Sequence, residues 1–592
     1  MTFRHDLVPF RLLVIAAVLG LAGCSQPEAE LTPVDRARQA LADGDGIAAE
    51  VLLRDVLASG APNDEVAAFL GEAELQQGQL AEARRWLGEG KFSRQTRSHG
   101  FHMLGRLEME DSNLPAAGLA FDQALAEKAD DAELWVDIGR LRYRGGEQLQ
   151  AVEASKKAVE IDPQNPVALQ FRAQLIRDSE GMQAALIWFE QALERNPEDT
   201  GLLFEYAATL GELGRAREML AVVRKIAKID PANRKIYFLQ SVLAARAGKF
   251  ELARLLLLRA DKTTLEQPAA MLLSGIIDME NGNYASAAQT LELLAAMQPE
   301  NWRVQHVLAR ALSLGQNDGE VIYRYAEAAA RPGASPYLKT LVARSYEATD
   351  ERDKAAKFLD EAAAPKSGNL VAISGANALG AAEARGVNSG RDALDLIRAR
   401  ISAGNPGAAI DASSAFLRLF PGSFDALSLA GDANLAAKRF PAARVNYSKA
   451  ASIRQPWTLT RKMIAAARGA GSQRDALEIL TRYFIGDQAN VEAAGLLARE
   501  AMDSGDAESA AIFADHALLN GGGQDPALLV LRSQIALQLG DVDLGFDVAQ
   551  KAYWLQPLSR VTTLQLAAAY REIDDGARFA RQLDAKARKM KP

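Results

Sequence analysis

Small residues recur along this chain at a fixed interval, and prolines keep the same step. Pro163, Pro197 and Pro231 stand 34 residues apart, each behind an Asp or Asn, with Ala151 and Ala185, then Ala158 and Ala192, ahead of them at the same spacing. Between these markers the apolar positions follow a helical period: Trp135, Ile138 and Gly139 fall at i, i+3 and i+4, one face of a helix. Ala151, twelve residues after Gly139, lies on a second amphipathic run that ends at Ile161-Asp162-Pro163. Proline disfavours α geometry in the residue before it, so Pro163 closes that helix, and Asn165 is placed to cap the next. The unit predicted is two helices of about 13 residues, each about 20 Å long. Gly or Ala where the helices cross lets their backbones approach closely.

The step continues in both directions. Gly71 and Ala83 keep the twelve-residue interval, as do Gly105 and Ala117, Gly275 and Ala287, Ala343 and Ala355, and Gly431 and Ala443. It weakens between Ala364 and Gly390, where Pro365, Gly368, Gly375, Gly380 and Gly386 crowd a poorly patterned stretch. A fixed period of this length predicts an all-α solenoid, in which each hairpin buries its apolar face only against its neighbours. About 15 or 16 units are expected. The organisation expected is a leader over 1–23, a tether over 24–35, one array over 36–363, an irregular connecting segment over 364–390 and a second array over 391–592. The connecting segment reads either as a hinge or as a degenerate repeat.

Trp135, Gly139, Ala151, Ala158 and Pro163 match the tetratricopeptide-repeat (TPR) pattern at five places, and Ala173, Ala185, Phe189, Ala192 and Pro197 match it again. Arg142 departs from it, standing where the pattern usually has Tyr. Over nearly its whole length the chain resembles that family. The resemblance implies a right-handed superhelix of helical hairpins whose first helices line a concave groove that binds peptides or proteins. Carrying the family's inward positions onto this sequence gives a ladder of Val136, Gln170, Phe204, Phe238, Leu272 and His306. Arg140, Tyr143 and Arg144 stand beside the first rung, and Ile276 and Met279 beside the fifth. Such a groove is cationic near Arg140 and Arg144 and apolar from Phe204 to Met279, which fits an extended peptide with an acidic end and hydrophobic anchors. The alternative is a superhelix that coils tightly enough to bury these side chains against its own next turn.

The amino terminus reads as an address. Arg4 and Arg11 bracket a short basic region, and the apolar run Leu12 to Leu21 is too short to cross a bilayer but fits a signal-peptide core. Leu21-Ala22-Gly23-Cys24 resembles a bacterial lipobox, which implies cleavage before Cys24 and acylation of its thiol and amine. Cys24 is the only cysteine of the 592 residues, so an exported chain has no disulfide to form. Ser25 follows it, and in the lipoproteins this resembles that implies release to the outer membrane, facing the periplasm. No later stretch holds the 18 or more apolar residues of a membrane helix. The net charge of −8 argues against nucleic acid as a partner.

No catalytic signature is present: no His-Glu-x-x-His, no nucleophile elbow, no phosphate loop and no second cysteine. Gly248-Lys249-Phe250 reads as a turn between repeat helices, and His99 and His102 as ordinary half-buried histidines. No cofactor, metal or catalytic residue is expected. What remains is a lipid-anchored interaction scaffold, resembling in architecture the TPR lipoproteins of exopolysaccharide export and of PEP-CTERM sorting systems. The alternative is a periplasmic chaperone or carrier holding unfolded exported chains in the groove. The basic end, with Arg578, Arg581, Lys586, Arg588, Lys589 and Lys591, reads as a solvated cap on the last repeat. Its alternative is a contact with anionic lipid or acidic polysaccharide.

Overall fold

The computed structural model describes residues 31–299, 301–331, 334–363, 379–387 and 389–590. Cys24, the leader and most of the 364–390 segment lie outside them. Among the described residues there are 34 α-helices, one short 3₁₀ turn and no strand. The helices run as sixteen consecutive pairs, with the four-residue helix Lys262–Leu265 and the helix Leu379–Arg385 left over. The 34-residue period therefore builds an all-α hairpin solenoid, as the sequence predicts.

Helix ends follow the local chemistry. The Asn165 side chain accepts the Ala168 N–H at 2.9 Å, and Asp131, Asp199 and Asp525 cap their helices in the same way. Between the two helices of a hairpin one residue turns left-handed. It falls at Gly44, Gly78, Ser112, Gly146, Gly214, Gly248, Gly282, Gln316 and Asp350, a ladder on the 34-residue step. One rung slips: Glu180 keeps right-handed geometry, and the left-handed residue is Gly181, at φ 101°.

The core is built by a second spacing. Gly71, Gly105, Gly275 and Gly431 each receive the side chain sixteen residues on: Leu87, Phe121, Leu291 and Tyr447. A Cβ on Gly275 would lie 2.7 Å from Leu291 Cγ, closer than van der Waals contact allows. At Gly139 the rule changes, because residue 155 is a serine. Ser155 turns its hydroxyl to the Val152 carbonyl at 2.7 Å, and the hollow over Gly139 is filled instead by Phe171 of the next hairpin.

The chain divides into two compact units, Met1–Ala129 and Asp130–Pro592. Within the second unit the array meets itself. The Leu149 N–H donates to the Gly422 carbonyl at 3.0 Å, and the Phe424 N–H donates to Gln148 Oε1 at 3.0 Å. The Gln455 N–H donates to the Asp178 carbonyl at 2.8 Å, and the Gly181 and Gly486 backbones lie side by side. Farther along, Gln556 Nε2 donates to Thr340 Oγ1 and the Arg560 N–H to Asp360 Oδ1, each at 2.7 Å. Segments some 200 to 280 residues apart in sequence are thus zipped along a seam between turns of the solenoid.

Candidate partner-binding site

Helix Ala132–Arg144 and helix Pro166–Ser179 are the first helices of successive hairpins, and a pocket opens between them. Arg140, Tyr143 and Arg144 line one wall, and Phe171, Gln174, Leu175, Arg177 and Asp178 line the other. On each helix these positions recur at i, i+3 and i+4, so one face of each is committed to the pocket. The floor follows from Ser155: its small side chain draws Phe171 onto Gly139, where a Cβ would lie 2.6 Å from the ring. The volume of about 260 Å³ is below the range of about 300–1,000 Å³ usual for small-molecule sites. One or two side chains of a bound peptide fit; a cofactor does not.

Its electrostatics are held in place by carboxylates. Arg140 Nη1 donates to Asp137 Oδ1 at 2.9 Å, and the guanidinium lies 5.8 Å from the centre of the Phe171 ring, a cation–π contact. Arg177 Nη1 donates to Glu205 Oε2 of helix Thr200–Glu212 at 2.7 Å. Burial pushes the Asp178 carboxyl above its usual range, against the pull of Arg177 and Arg454. The Tyr143 phenol is raised first by burial and then by Asp178. The pocket therefore offers positioned guanidinium donors over an aromatic floor, with much of their charge already matched. It also borders the seam, since the Asp178 carbonyl takes the Gln455 N–H.

Of the residues named from sequence, Arg140, Tyr143 and Arg144 are brought together here. Phe204, Phe238, Leu272 and Ile276 lie on later first helices outside the pocket, half-buried and packed on the hairpin cores. Met279 requires a correction: at 4% exposure it is a core residue packed with Leu291 and Leu308, not a wall of a groove. Val136 is likewise fully buried, while His306 is half-buried between Trp302 and Tyr337 and paired with Ser335. The sequence reading missed Gln174, Arg177 and Asp178. They stand one 34-residue step beyond Arg140, Tyr143 and Arg144, so carrying those three forward by one period finds them.

Other candidates resolve into structure. His99 Nε2 lies 2.8 Å from Glu72 Oε2, and His102 is buried against Phe121. Among the described residues no group of three or more His, Cys, Asp or Glu is placed to hold a metal. Gly248-Lys249-Phe250 is the turn between helices Ile236–Arg246 and Phe250–Leu257. No described helix is long and apolar enough to cross a membrane.

Tetratricopeptide-repeat family models match residues 40–107, 102–166 and 394–456. The chain thus carries tetratricopeptide repeats, and with its sixteen helix pairs it has the solenoid fold that such repeats build, a scaffold for protein–protein interaction. Similar solved structures include the Cut9–Hcn1 hetero-tetramer of the APC/C, at 14% identity over 90% of this chain and 95% of that one, TM-score 0.30. A tetratricopeptide-repeat protein of Parabacteroides merdae is 17% identical over 45% of this chain and 97% of that one, TM-score 0.29. YrrB, described as a TPR protein with an unusual peptide-binding site, is 19% identical over 32% and 95%, TM-score 0.24.

Proposed function

We propose that this chain is a non-enzymatic scaffold, anchored through lipid on Cys24 to the outer membrane and facing the periplasm, that holds an extended segment of a partner protein. The observation that carries the reading is the pocket where Arg140, Tyr143 and Arg144 meet Phe171 and Gln174: a small, aromatic-floored site with oriented donors, built for side chains of a peptide. The lone cysteine behind an apolar leader supports the anchor, and the lipobox followed by repeats supports a role in envelope work such as exopolysaccharide export or protein sorting. The seam favours a scaffold over a carrier, because holding a whole unfolded chain needs a groove free to open along its length.

The test places a photo-crosslinking amino acid at Gln174 in the native cell, with Ile187, exposed on helix Met182–Arg195, as the control position. A defined partner crosslinked from 174, absent from 187 and lost with Arg140→Glu and Tyr143→Ala, is the expected result. Equal capture from both positions counts against the pocket. The anchor is tested separately: Cys24→Ala should abolish labelling by a radioactive fatty acid and leave the protein soluble.

A further inference from the structure

The last helix, Ala577–Lys589, carries a surface unlike the rest of the protein. It packs inward through Ala580, Leu583 and Ala587. Its remaining carboxylate is neutralised: Arg571 Nη2 donates to Asp584 at 2.7 Å, and Lys586 is tied to the Tyr553 hydroxyl and the Pro557 carbonyl. That leaves Arg578, Arg581, Arg588 and Lys589 exposed, none of them ion-paired among the described residues. At 100° per residue the four fall within one stripe about 100° wide and about 16 Å long. Phe579 projects from its edge, 51% exposed and stacked on Tyr570 at 5.3 Å.

Elsewhere the pattern is the opposite. Arginines of the repeats are mostly matched to a carboxylate, as Arg84 is with Glu108, Arg177 with Glu205 and Arg324 with Glu292. The last 16 residues hold six Lys and Arg and one Asp, a charge of +5, so with −8 overall the other 576 residues carry −13. We propose that this helix is a docking surface for an anionic lipid headgroup layer. The stripe is convex, with no cleft to orient a carboxylate or enclose a polymer, and a flat charged layer asks for nothing more. A protruding ring beside unpaired guanidiniums is the arrangement of interfacial helices, the ring entering between headgroups while the cations hold the phosphates. The acidic body is repelled by the same layer, so contact is made by this end.

The experiment uses the mature-length chain, 24–592, with Cys24→Ser, so that no acyl chain or leader contributes. Co-sedimentation is measured with vesicles of phosphatidylcholine containing phosphatidylglycerol, with pure phosphatidylcholine, and in competition with a soluble polyuronate. Binding to the anionic vesicles alone is expected, weakening as salt rises. Arg578→Gln, Arg581→Gln, Arg588→Gln and Lys589→Gln together should weaken it by about 100-fold or more, at about fivefold per cation. The four positions are exposed, so helicity by circular dichroism should be unchanged. Wild-type binding no better than to neutral vesicles, or a quadruple variant that binds as well as wild type, overturns the proposal. Tight binding to the polyuronate without vesicle binding also overturns it, in favour of an acidic polymer.

Discussion

Lys462 brings its charge into a hairpin core, and its neighbours explain why it stays. Its Nζ donates to Asp432 Oδ2 at 2.8 Å and to Ser428 Oγ at 3.2 Å, while the Tyr447 hydroxyl donates to Asp432 Oδ1 at 2.8 Å. Asp432 is fully buried, and burial holds the Tyr447 phenol well above its ordinary value. Tyr447 itself sits where it does because Gly431 leaves room for its ring. Three elements of this unit are thus fixed by one carboxylate. Lys462→Ala leaves that carboxylate buried and uncompensated, which costs about 3–5 kcal/mol, whereas Asp432→Leu with Lys462→Met removes both charges and should cost far less. Local hydrogen exchange over 424–469 distinguishes the two. Equal loss in the single and double variants would show that packing, and not charge pairing, holds the cluster.

At the scale of the hairpin, most of the architecture was legible, because the 34-residue step is local chemistry repeated. Capping Asx residues, closing prolines and left-handed turn residues all keep that step, and each can be read without knowing what packs on it. The pocket was legible by half. Arg140, Tyr143 and Arg144 were reached by position in the repeat, but its floor depends on a substitution, Ser155, whose meaning appears only when the hollow over Gly139 is seen to be filled from the next hairpin. Met279 failed as a groove residue for the same reason: on this helix the position turns into the core of the hairpin that follows. Another regularity runs on the outer face. Val51, Leu119, Ile187, Leu255 and Tyr323, all exposed, stand 68 residues apart, with Arg85, Glu153, Ala221, Gln289 and Lys357 at the same place in the hairpins between. A 34-residue reading averages this alternation away. The Ser155 argument makes its own test. Phe171→Ala should cost about 3–5 kcal/mol as a core truncation. Adding Ser155→Leu should recover part of it, because leucine at that position fills the hollow as Leu87 and Leu291 do at theirs. Exchange protection over 132–195 reports the recovery, and none at all would refute the packing account.

At the scale of the whole second unit, the seam is the feature no local pattern announces, because it depends on rotation accumulated over many hairpins. Even so, it leaves a mark: the left-handed turn slips from position 180 to Gly181 where the turns touch. Gly181 has φ 101°, and a Cβ there would lie 2.7 Å from the Gly486 carbonyl oxygen, so Gly181→Ala strains both the turn and the contact. The amides of Leu149, Phe424, Gln455 and Arg560 donate across the seam, so their exchange reads its opening directly. Gly181→Ala is expected to speed exchange at Leu149, Phe424 and Gln455 with helix content unchanged. The Arg560 amide adds a dependence on pH, because its acceptor is Asp360. Burial raises the Asp360 carboxyl above 3.8, although the Arg560 N–H, the Ser559 hydroxyl and the Arg560 charge all pull it down. A raised acid favours the closed, protonated form, so its contribution is complete below pH 3.8 and is lost as pH rises through the raised value. At neutral pH the seam therefore carries a partly desolvated carboxylate as a cost. Asp360→Asn keeps an oxygen for the Arg560 N–H and has no charge to desolvate. It should hold the Arg560 amide at pH 7 at least as well as wild type does and abolish the change in its opening equilibrium on acidification, intrinsic exchange rates being divided out. A steeper pH dependence in the variant would mean that the carboxylate stabilises the seam by its charge, and the sign of the argument would be reversed.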